Sequence, residues 1–305
     1  MIVDLVQTTT RDGLRLDGIF QVPSPGVPAA VPLDGLCFVH GTGGNFYSST
    51  LFDAFAERLL ARGVAVLRVN TRGHDGISTA ATPKGGRRQG AAYEIADECR
   101  HDLTAWLDWL RGRAGPRAGL LGHSMGAVKA LYATAHEAPP GPACVAAVSP
   151  PRLSYSTFCA SPNGPQFLET YAEAERHTQA GTPGVLLEVK LPLPYVITAA
   201  GYLEKYGPDE RYNYLRFVGG LPCPVLVTLG EIEVANNMAF AGAPEELTRL
   251  AARHPRLRSE VIAGADHFYG GGREALLVCV EAWLRESSGD GPSGNSRGQA
   301  GAAPP

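Results

Sequence analysis

The sequence predicts an α/β fold in which a mostly parallel sheet is covered by helices on both faces. Short apolar runs of strand length alternate with amphipathic stretches of helical period, a pattern typical of parallel sheets. The runs are continuous rather than alternating in polarity, as expected of strands buried on both sides. With 305 residues, 44% of them hydrophobic and 19% charged, the chain is long enough to bury a sizeable core.

The first half of the chain is predicted to begin with a hairpin and to continue as alternating strands and helices. Arg11-Asp12-Gly13 is a turn sequence between two strand-like runs. Apolar residues recur at helical spacing before Gly63, which is the expected C-cap of that helix. The predicted strands cover residues 3–9, 14–22, 36–39, 64–69 and 119–121, and the predicted helices cover residues 49–62, 92–111 and 128–136.

The second half continues the alternation around one long insertion. Residues 150–221 separate two predicted core strands and are too many for a plain connection, so we expect an inserted lid with helices at 167–177 and 195–206. The tail, residues 286–305, is rich in Gly, Ser, Pro and Ala, and is expected to be disordered. The core then comprises residues 1–149 and 222–285, with strands at 144–148, 224–229 and 258–262 and helices at 245–253 and 274–285.

Gly122-His123-Ser124-Met125-Gly126 has the G-x-S-x-G pattern of a nucleophile elbow. The pattern follows an apolar strand and opens an apolar helix, which is where a serine exposed on a strand-to-helix turn must stand. The glycines leave room for neighbouring backbone around a strained residue. Ser124 is therefore the predicted nucleophile, and the alternative is a structural serine at a glycine-rich strand end.

His40-Gly41-Thr42-Gly43-Gly44 follows the earlier buried strand. Glycines at this position allow backbone N–H groups to turn towards a developing oxyanion. We expect the N–H group of Met125, together with that of Thr42 or Gly43, to form an oxyanion hole. The alternative is an ordinary glycine-rich turn between a strand and a helix.

His267 lies in a loop between the last predicted strand and the last helix. This loop belongs to the carboxyl edge of the sheet, as Ser124 does, so His267 is the predicted general base. For the acid that orients the imidazole we choose Glu233, the third residue past Gly230, and Glu231 is the alternative. Asp266 adjoins His267 in sequence, which makes a correctly directed contact improbable.

The order of these motifs resembles that of the α/β-hydrolase fold family, of the serine esterase and lipase type, over residues 1–285. Residues 72–78, Arg-Gly-His-Asp-Gly-Ile-Ser, are similar to the family's R-G-x-G-x-S turn but contain an additional Asp75. The resemblance implies an eight-stranded, mostly parallel sheet, a helical lid after the sixth strand, and acyl-enzyme chemistry without a cofactor. A second departure is the glutamate acid, where aspartate is commoner.

Composition and charge narrow the possible partners and location. A formal net charge of −3 gives no electrostatic reason to expect nucleic acid or an anionic membrane. The first residues lack the basic and apolar regions of a signal peptide, and no apolar run is long enough for a membrane-spanning helix. The six cysteines are scattered without metal-ligand spacing, so we expect no metal site and a reducing, cytoplasmic location.

The predicted function is that of a serine hydrolase that cleaves a carboxylic ester or thioester of a small molecule through an acyl-enzyme. The alternatives are an acyltransferase or thioesterase that tailors a biosynthetic product, and a ligand-binding protein with little turnover. Arg87 and Arg88, after Lys84, either contact an acidic substrate or lie in a solvated loop. The aromatic residues of the lid either line an apolar pocket or pack the lid on the core: Tyr155, Phe158, Phe167, Tyr171, Tyr195, Tyr202 and Tyr206.

Overall fold

The computed structural model describes residues 3–287. Residues 288–305, most of the tail that is predicted to be disordered, lie outside the described range. The last helix reaches Glu286, and Ser287 N–H donates to Trp283 O (2.9 Å). The chain is therefore still helical where the tail is predicted to begin.

Within residues 3–287 the chain forms twelve strands and nine α-helices. The strands are β1 (Asp4–Thr9), β2 (Arg15–Gln21), β3 (Gly35–Val39), β4 (Ala65–Val69), β5 (Ser78–Thr82), β6 (Gly85–Gln89), β7 (Ala118–His123), β8 (Val145–Val148), β9 (Leu186–Val189), β10 (Tyr195–Thr198), β11 (Val225–Gly230) and β12 (Leu257–Ile262). The helices are α1 (Thr50–Leu60), α2 (Cys99–Ala114), α3 (Met125–His136), α4 (Tyr155–Ala160), α5 (Gly164–Gln179), α6 (Ala199–Tyr206), α7 (Glu231–Asn236), α8 (Ala243–Ala251) and α9 (Arg273–Glu286).

Eight of these strands form one sheet in the order β1-β2-β4-β3-β7-β8-β11-β12. β2 is antiparallel to both β1 and β4, whereas every neighbouring pair from β4 to β12 is parallel. The predicted α/β fold with a mostly parallel, eight-stranded sheet is thus confirmed. The carboxyl ends of the parallel strands meet at one edge, so the loops after β3, β7, β11 and β12 lie together.

The central strands are buried on both faces, and successive side chains belong to different cores. Leu36 and Phe38 of β3 pack in a core that includes residues of α1 and α9. Cys37 and Val39 point the other way, into a core that includes residues of α2, α3 and the insertion. Because alternate side chains enter two different apolar cores, every residue of the strand is apolar and the sequence shows a continuous run.

The insertion after β8 contains helices and a two-stranded ribbon. The predicted helix at 167–177 lies within α5. The helix predicted at 195–206 is wrong over its first four residues, because Tyr195–Thr198 forms β10, which pairs antiparallel with β9. The β-branched residues Val196, Ile197 and Thr198 favour a strand once β9 provides a partner.

Other local predictions differ from the structure at element boundaries. The helix predicted at 92–111 begins only at Cys99, after a 3-10 turn, because Ala91 and Ala92 donate to the backbone of residues 75 and 76. Gly63 has φ +79° but is not the C-cap of α1, which is Ala61. The sequence does not predict the β5–β6 hairpin or α7, because β5 and β6 lack apolar periodicity and α7 is too short to show it.

Candidate active site

Ser124 stands at the sharp turn between β7 and α3, at the carboxyl edge of the sheet. Its backbone has φ 57° and ψ −129°, which is strained for a residue with a side chain. Both glycines of the pattern are required, because an added Cβ would overlap Gly126 O at Gly122 and Val39 O at Gly126. Ser124 N–H also donates to Val148 O (2.9 Å). The local sequence therefore lets a strained turn form, and packing holds it.

His267 connects the serine with an acid. Its Nε2 atom lies 3.0 Å from Ser124 Oγ, and its Nδ1 atom lies 2.6 Å from Glu233 Oε2. Because an ionised carboxylate only accepts hydrogen bonds, Nδ1 carries a proton in this arrangement and Nε2 is free to accept one. The structure thus brings together the predicted Ser124, His267 and Glu233 in a geometry suited to proton removal from the hydroxyl.

The two other acids that the sequence offers are directed elsewhere. Glu231 is exposed, and its Oε2 accepts the N–H of Gly264 (2.8 Å). Asp266 accepts two N–H groups of its own loop, at 2.9 and 3.0 Å. Both acids brace the loop that carries His267, whereas Glu233 contacts the imidazole itself.

Glu233 is only 5% exposed, and both oxygens of its carboxylate accept hydrogen bonds. Its Oε1 accepts the N–H of Gly230 (2.7 Å) and the hydroxyl of Ser149. Ser149 follows β8 with φ 50°, and its Oγ lies 3.0 Å from the Tyr269 hydroxyl. Sequence reasoning does not identify Ser149, although its position directly after a core strand is a signal that could find it. These donors hold the carboxylate towards His267.

The loop of residues 40–44 passes against the serine. An added Cβ on Gly41 would lie 2.9 Å from Ser124 Cβ and 3.3 Å from its Oγ. The loop turns at Gly43, where φ is +63°, and closes with a hydrogen bond from Gly44 N–H to Gly41 O (3.1 Å). The predicted oxyanion residues are Thr42 and Gly43, which lie in this turn, and Met125, which is the first residue of α3.

Two buried histidines of the sequence motifs hold the site in place, a role that the sequence does not predict for them. His40 Nδ1 lies 2.8 Å from Gly41 O, and its Nε2 accepts the N–H of Thr71 (3.0 Å). His123 Nε2 lies 2.7 Å from the backbone O of His267. Burial lowers the pKa of His40 to about 3 and the pKa of His123 to about 4. Both are therefore neutral near pH 7, and each donates one ring N–H to a carbonyl that shapes the site.

The turn of residues 72–78 is anchored in the core and joined to the loop beside the serine. Arg72 is fully buried and pairs with the fully buried Asp102 (2.8 Å). Asp75, the additional residue of this turn, donates its N–H to Gly44 O (3.0 Å) and accepts from Asn45 Nδ2 (2.8 Å). The departure from the family pattern therefore adds a brace to the loop.

The aromatic residues of the insertion pack mainly on one another. The ring of Phe167 lies 5.4 Å from that of Phe158 and 5.5 Å from that of Tyr155. Tyr202 and Tyr206 are buried, with ring centroids 5.0 Å apart. These contacts favour the interpretation that the aromatic residues pack the insertion over the interpretation that they line a pocket.

The basic cluster that the sequence offers lies on the β5–β6 hairpin. Arg87 and Arg88 are exposed, as is Lys84. Arg87 Nη2 lies 3.4 Å from Glu98 Oε2, and Arg88 Nη1 donates to the Tyr93 hydroxyl (3.3 Å). The two arginines thus make local contacts at the surface.

Residues 3–287 contain no group of His, Cys, Asp and Glu side chains arranged to hold a metal ion. In the same range, no helix is both long and apolar enough to cross a membrane. All six cysteines of the chain lie within it as free thiols.

A family model described as the alpha/beta hydrolase family matches residues 38–275 of the chain. This range contains Ser124, His267 and Glu233, together with the 40–44 loop. A search of the curated proteins finds no match.

Several solved structures are similar to the chain over most of its length. Est1E from Butyrivibrio proteoclasticus, solved with ferulic acid bound, has a TM-score of 0.65 at 17% identity and covers 92% of this chain and 99% of its own. An esterase from Pyrococcus furiosus has a TM-score of 0.58 at 19% identity, covering 94% of this chain and 93% of its own. The esterase domain of a Rhodothermus marinus protein has a TM-score of 0.58 at 20% identity, covering 94% and 99%. At these identities the similarity establishes the fold.

Proposed function

We propose that this chain, which belongs to the alpha/beta hydrolase family, is a serine hydrolase that cleaves a carboxylic ester, or a thioester, of a small molecule. The observation that carries the proposal is the contact of His267 with Ser124 Oγ (3.0 Å) on one side and with the buried Glu233 (2.6 Å) on the other. An imidazole that is oriented by a carboxylate beside a hydroxyl activates that hydroxyl as a nucleophile. Esterases among the proteins of similar fold favour an ester as the substrate.

In the first half of the reaction Ser124 Oγ attacks the acyl carbonyl while His267 Nε2 takes the hydroxyl proton. The negative charge that develops on the carbonyl oxygen is bound by N–H groups of Met125 and of Thr42 or Gly43. Collapse of the tetrahedral intermediate breaks the bond to the leaving group, which receives the proton from His267. Glu233 stabilises the imidazolium during these steps.

In the second half, water replaces the leaving group. His267 takes a proton from the water, the resulting hydroxide attacks the acyl-enzyme carbonyl, and the acid leaves as Ser124 regains its proton. Ser124, His267, the substrate and water account for every proton that moves in the two halves. Residues 1–149 and 222–285 form the catalytic core in this proposal, and residues 150–221 are the lid. The free thiols of the chain fit the reducing cytoplasm.

The proposal is tested by labelling the protein with a fluorophosphonate probe and by following hydrolysis of short-chain p-nitrophenyl esters. We expect one adduct, mapped by mass spectrometry to Ser124, and ester turnover in the same preparation. Ser124→Ala should lose both the adduct and the turnover. Ser161→Ala is the matched control, because Ser161 lies in the insertion and donates to Phe158 O (2.8 Å); it should behave like the original chain.

Three outcomes would overturn the proposal. Full ester turnover in Ser124→Ala would assign the chemistry to another group. Absence of both adduct and turnover in the folded original chain would favour the ligand-binding alternative. Transfer of the acyl group to an added alcohol in preference to water would identify an acyltransferase, which shares the acyl-enzyme but replaces the hydrolase.

A further inference from the structure

Three charged side chains lie together in the interior, next to the helix that follows Ser124. Glu94, Lys129 and Lys205 have side chains that are at most 1% exposed. Lys129 Nζ forms an ion pair with Glu94 Oε1, and Lys205 Nζ lies 3.5 Å from Glu94 Oε2. The three residues come from different parts of the fold, since Glu94 precedes α2, Lys129 is on α3, and Lys205 is on α6 of the insertion.

The ionised state of this cluster is held by its own members. Burial acts to raise the pKa of Glu94, but Lys129 and Lys205 together lower it to about 2. Burial acts to lower the pKa of Lys205, but Glu94 raises it. Gly73 makes room for the carboxylate, because an added Cβ there would overlap Glu94 Oε1. Burying three charged side chains costs desolvation free energy that apolar side chains of similar volume would not cost. Stability of the fold therefore does not explain the cluster, and we look for a role in the site.

A chain of hydrogen bonds connects the cluster to the loop beside the serine. Lys129 Nζ donates to Thr71 Oγ1 (3.3 Å), which lies 3.1 Å from His40 Nε2. The other ring nitrogen, His40 Nδ1, lies 2.8 Å from Gly41 O. An ammonium group only donates and a carbonyl only accepts. In each of these three hydrogen bonds the donor is therefore on the Lys129 side and the acceptor on the Gly41 side.

The position of Gly41 O determines the direction of a proposed oxyanion donor. Gly41 O accepts from both His40 Nδ1 (2.8 Å) and Gly44 N–H (3.1 Å). A trans peptide is planar, with its N–H directed opposite to its C=O. The two donors that hold Gly41 O on one side therefore direct the N–H of Thr42, in the same peptide, to the other side.

We propose that Glu94 is a positioning residue that acts through Lys129 and Lys205 to fix the 40–44 loop for oxyanion binding. The inference rests on the proposed function, because the loop has this role only in acyl transfer. Lys205 brings the insertion into the network, and Thr198 N–H, at the start of α6, donates to Ala92 O (2.9 Å) close to Glu94. The α6 part of the insertion is thereby fixed to the segment that carries Glu94.

The test removes the charges while retaining the volume. The triple variant Glu94→Leu/Lys129→Met/Lys205→Met leaves no buried charge unpaired, and replacement of buried ion clusters by apolar side chains is often neutral or stabilising. We expect it to fold with kcat lowered about 30-fold or more, since loss of one oxyanion donor costs about 10²–10³-fold. KM for a p-nitrophenyl ester should change less than about threefold, because the ground state barely uses the hole.

Phenylboronic acid supplies a second readout, because its tetrahedral serine adduct places an oxygen in the oxyanion hole. Its inhibition constant should rise in the triple variant by about the factor by which kcat falls. Glu281→Gln is the matched control. Glu281 of α9 is also buried among cations, but on the other face of the sheet: it pairs with Arg58 of α1 and with Arg62 just after that helix (both 2.5 Å), and with Arg285 of its own helix. Removing its charge should affect stability while kcat stays within about twofold, because residues that share no partners with the site act nearly independently of it.

Thr71→Val is the second variant, which decides the question if the triple variant does not fold. It removes the hydroxyl of the hydrogen-bonded chain and leaves the three charges paired, and we expect kcat and boronate affinity both to fall about fivefold, as for one lost hydrogen bond. Unchanged kcat and boronate inhibition in either folded variant would overturn the positioning role while leaving the hydrolase intact. Failure of the original chain to turn over esters would instead overturn the proposed function.

Discussion

Replacing Glu233 by glutamine should disable the proposed general base, His267, while the three groups that donate to the carboxylate all stay in place. The carboxylate accepts at Oε1 from Gly230 N–H (2.7 Å) and from Ser149, and at Oε2 from His267 Nδ1 (2.6 Å). A glutamine side chain has one accepting oxygen and one donating amide group. It can therefore accept hydrogen bonds at only one of the two positions that the carboxylate oxygens occupy.

The two donors at the Oε1 position decide which way the amide turns. Two N–H or O–H groups outcompete one, so the glutamine oxygen should take the Oε1 position and its NH₂ should face His267. Nδ1 must then accept, and the imidazole proton moves to Nε2, where it points at Ser124 Oγ. In that tautomer His267 cannot take the serine proton. The variant therefore has nearly unchanged packing and the wrong tautomer.

The expected loss in kcat/KM is about 10³–10⁴-fold, the size known for an acid-to-amide change that fixes the wrong histidine tautomer. That loss corresponds to about 4–5.5 kcal/mol of transition-state stabilisation. The assay is steady-state hydrolysis of a p-nitrophenyl ester, with the rate of fluorophosphonate labelling as a second measure of serine activation. Both should fall together, while the unfolding midpoint in urea changes little.

Glu231→Gln provides the matched control two residues away. Glu231 Oε2 accepts only a backbone N–H, that of Gly264 (2.8 Å), and a glutamine oxygen can do the same. Its kcat/KM should stay within about threefold, as for a surface hydrogen bond. A Glu233→Gln variant that keeps more than about a tenth of the original kcat/KM would refute the tautomer argument.

Three further predictions concern backbone packing, acid stability and a buried ion pair. Gly126→Ala should lower the free energy of unfolding by about 3 kcal/mol or more, because its Cβ would overlap Val39 O; an unchanged Tm would contradict this. Burial lowers the pKa of His123 in the folded chain to about 4, below its value in the unfolded chain. Below the unfolded pKa the unfolded chain therefore binds a proton that the folded chain does not, and the free energy of unfolding falls as the pH is lowered towards 4. Between pH 7 and 5 the original chain should lose about 2 kcal/mol more than His123→Gln, whose amide can still donate to the backbone O of His267; equal losses in urea titrations would disprove it. Arg72→Lys should cost about 3 kcal/mol or more in urea unfolding, because an ammonium cannot reproduce the buried guanidinium's several bonds; a neutral substitution would count against that role.

The local sequence was enough to predict the sheet and the edge at which two residues of the candidate site lie. Ser124 stands directly after β7, whose apolar run is visible in the sequence, and His267 lies in the loop between β12 and the last helix. Carboxyl ends of parallel strands meet at one edge whatever the details of the loops. The strand order therefore places both residues at the same edge, and the loop after β12 brings His267 Nε2 to 3.0 Å from Ser124 Oγ although β8 and β11 lie between the two strands.

The choice between Glu231 and Glu233 shows where local information ends. Both are on α7, and two positions along an α-helix differ by about 200° around its axis, so they project on opposite sides. Either acid satisfies the sequence pattern. Only the orientation of this one-turn helix against the loop of His267 decides that Glu233 contacts the imidazole. The same limit applies to β10, whose strand conformation depends on a partner several residues earlier.

The sequence by itself determined the alternation of strands and helices, the elbow at Ser124 and the loop position of His267, because each depends on residues that are neighbours along the chain. The tertiary structure decided which acid contacts His267, the hydrogen bonds that Ser149 and His123 make to Glu233 and to the His267 backbone, and the buried pairing of Glu94 with Lys129 and Lys205. A charged residue in an amphipathic pattern has the same local appearance whether it faces solvent or a partner from a distant element. Its burial and charge state are set by side chains that meet only when the fold is complete.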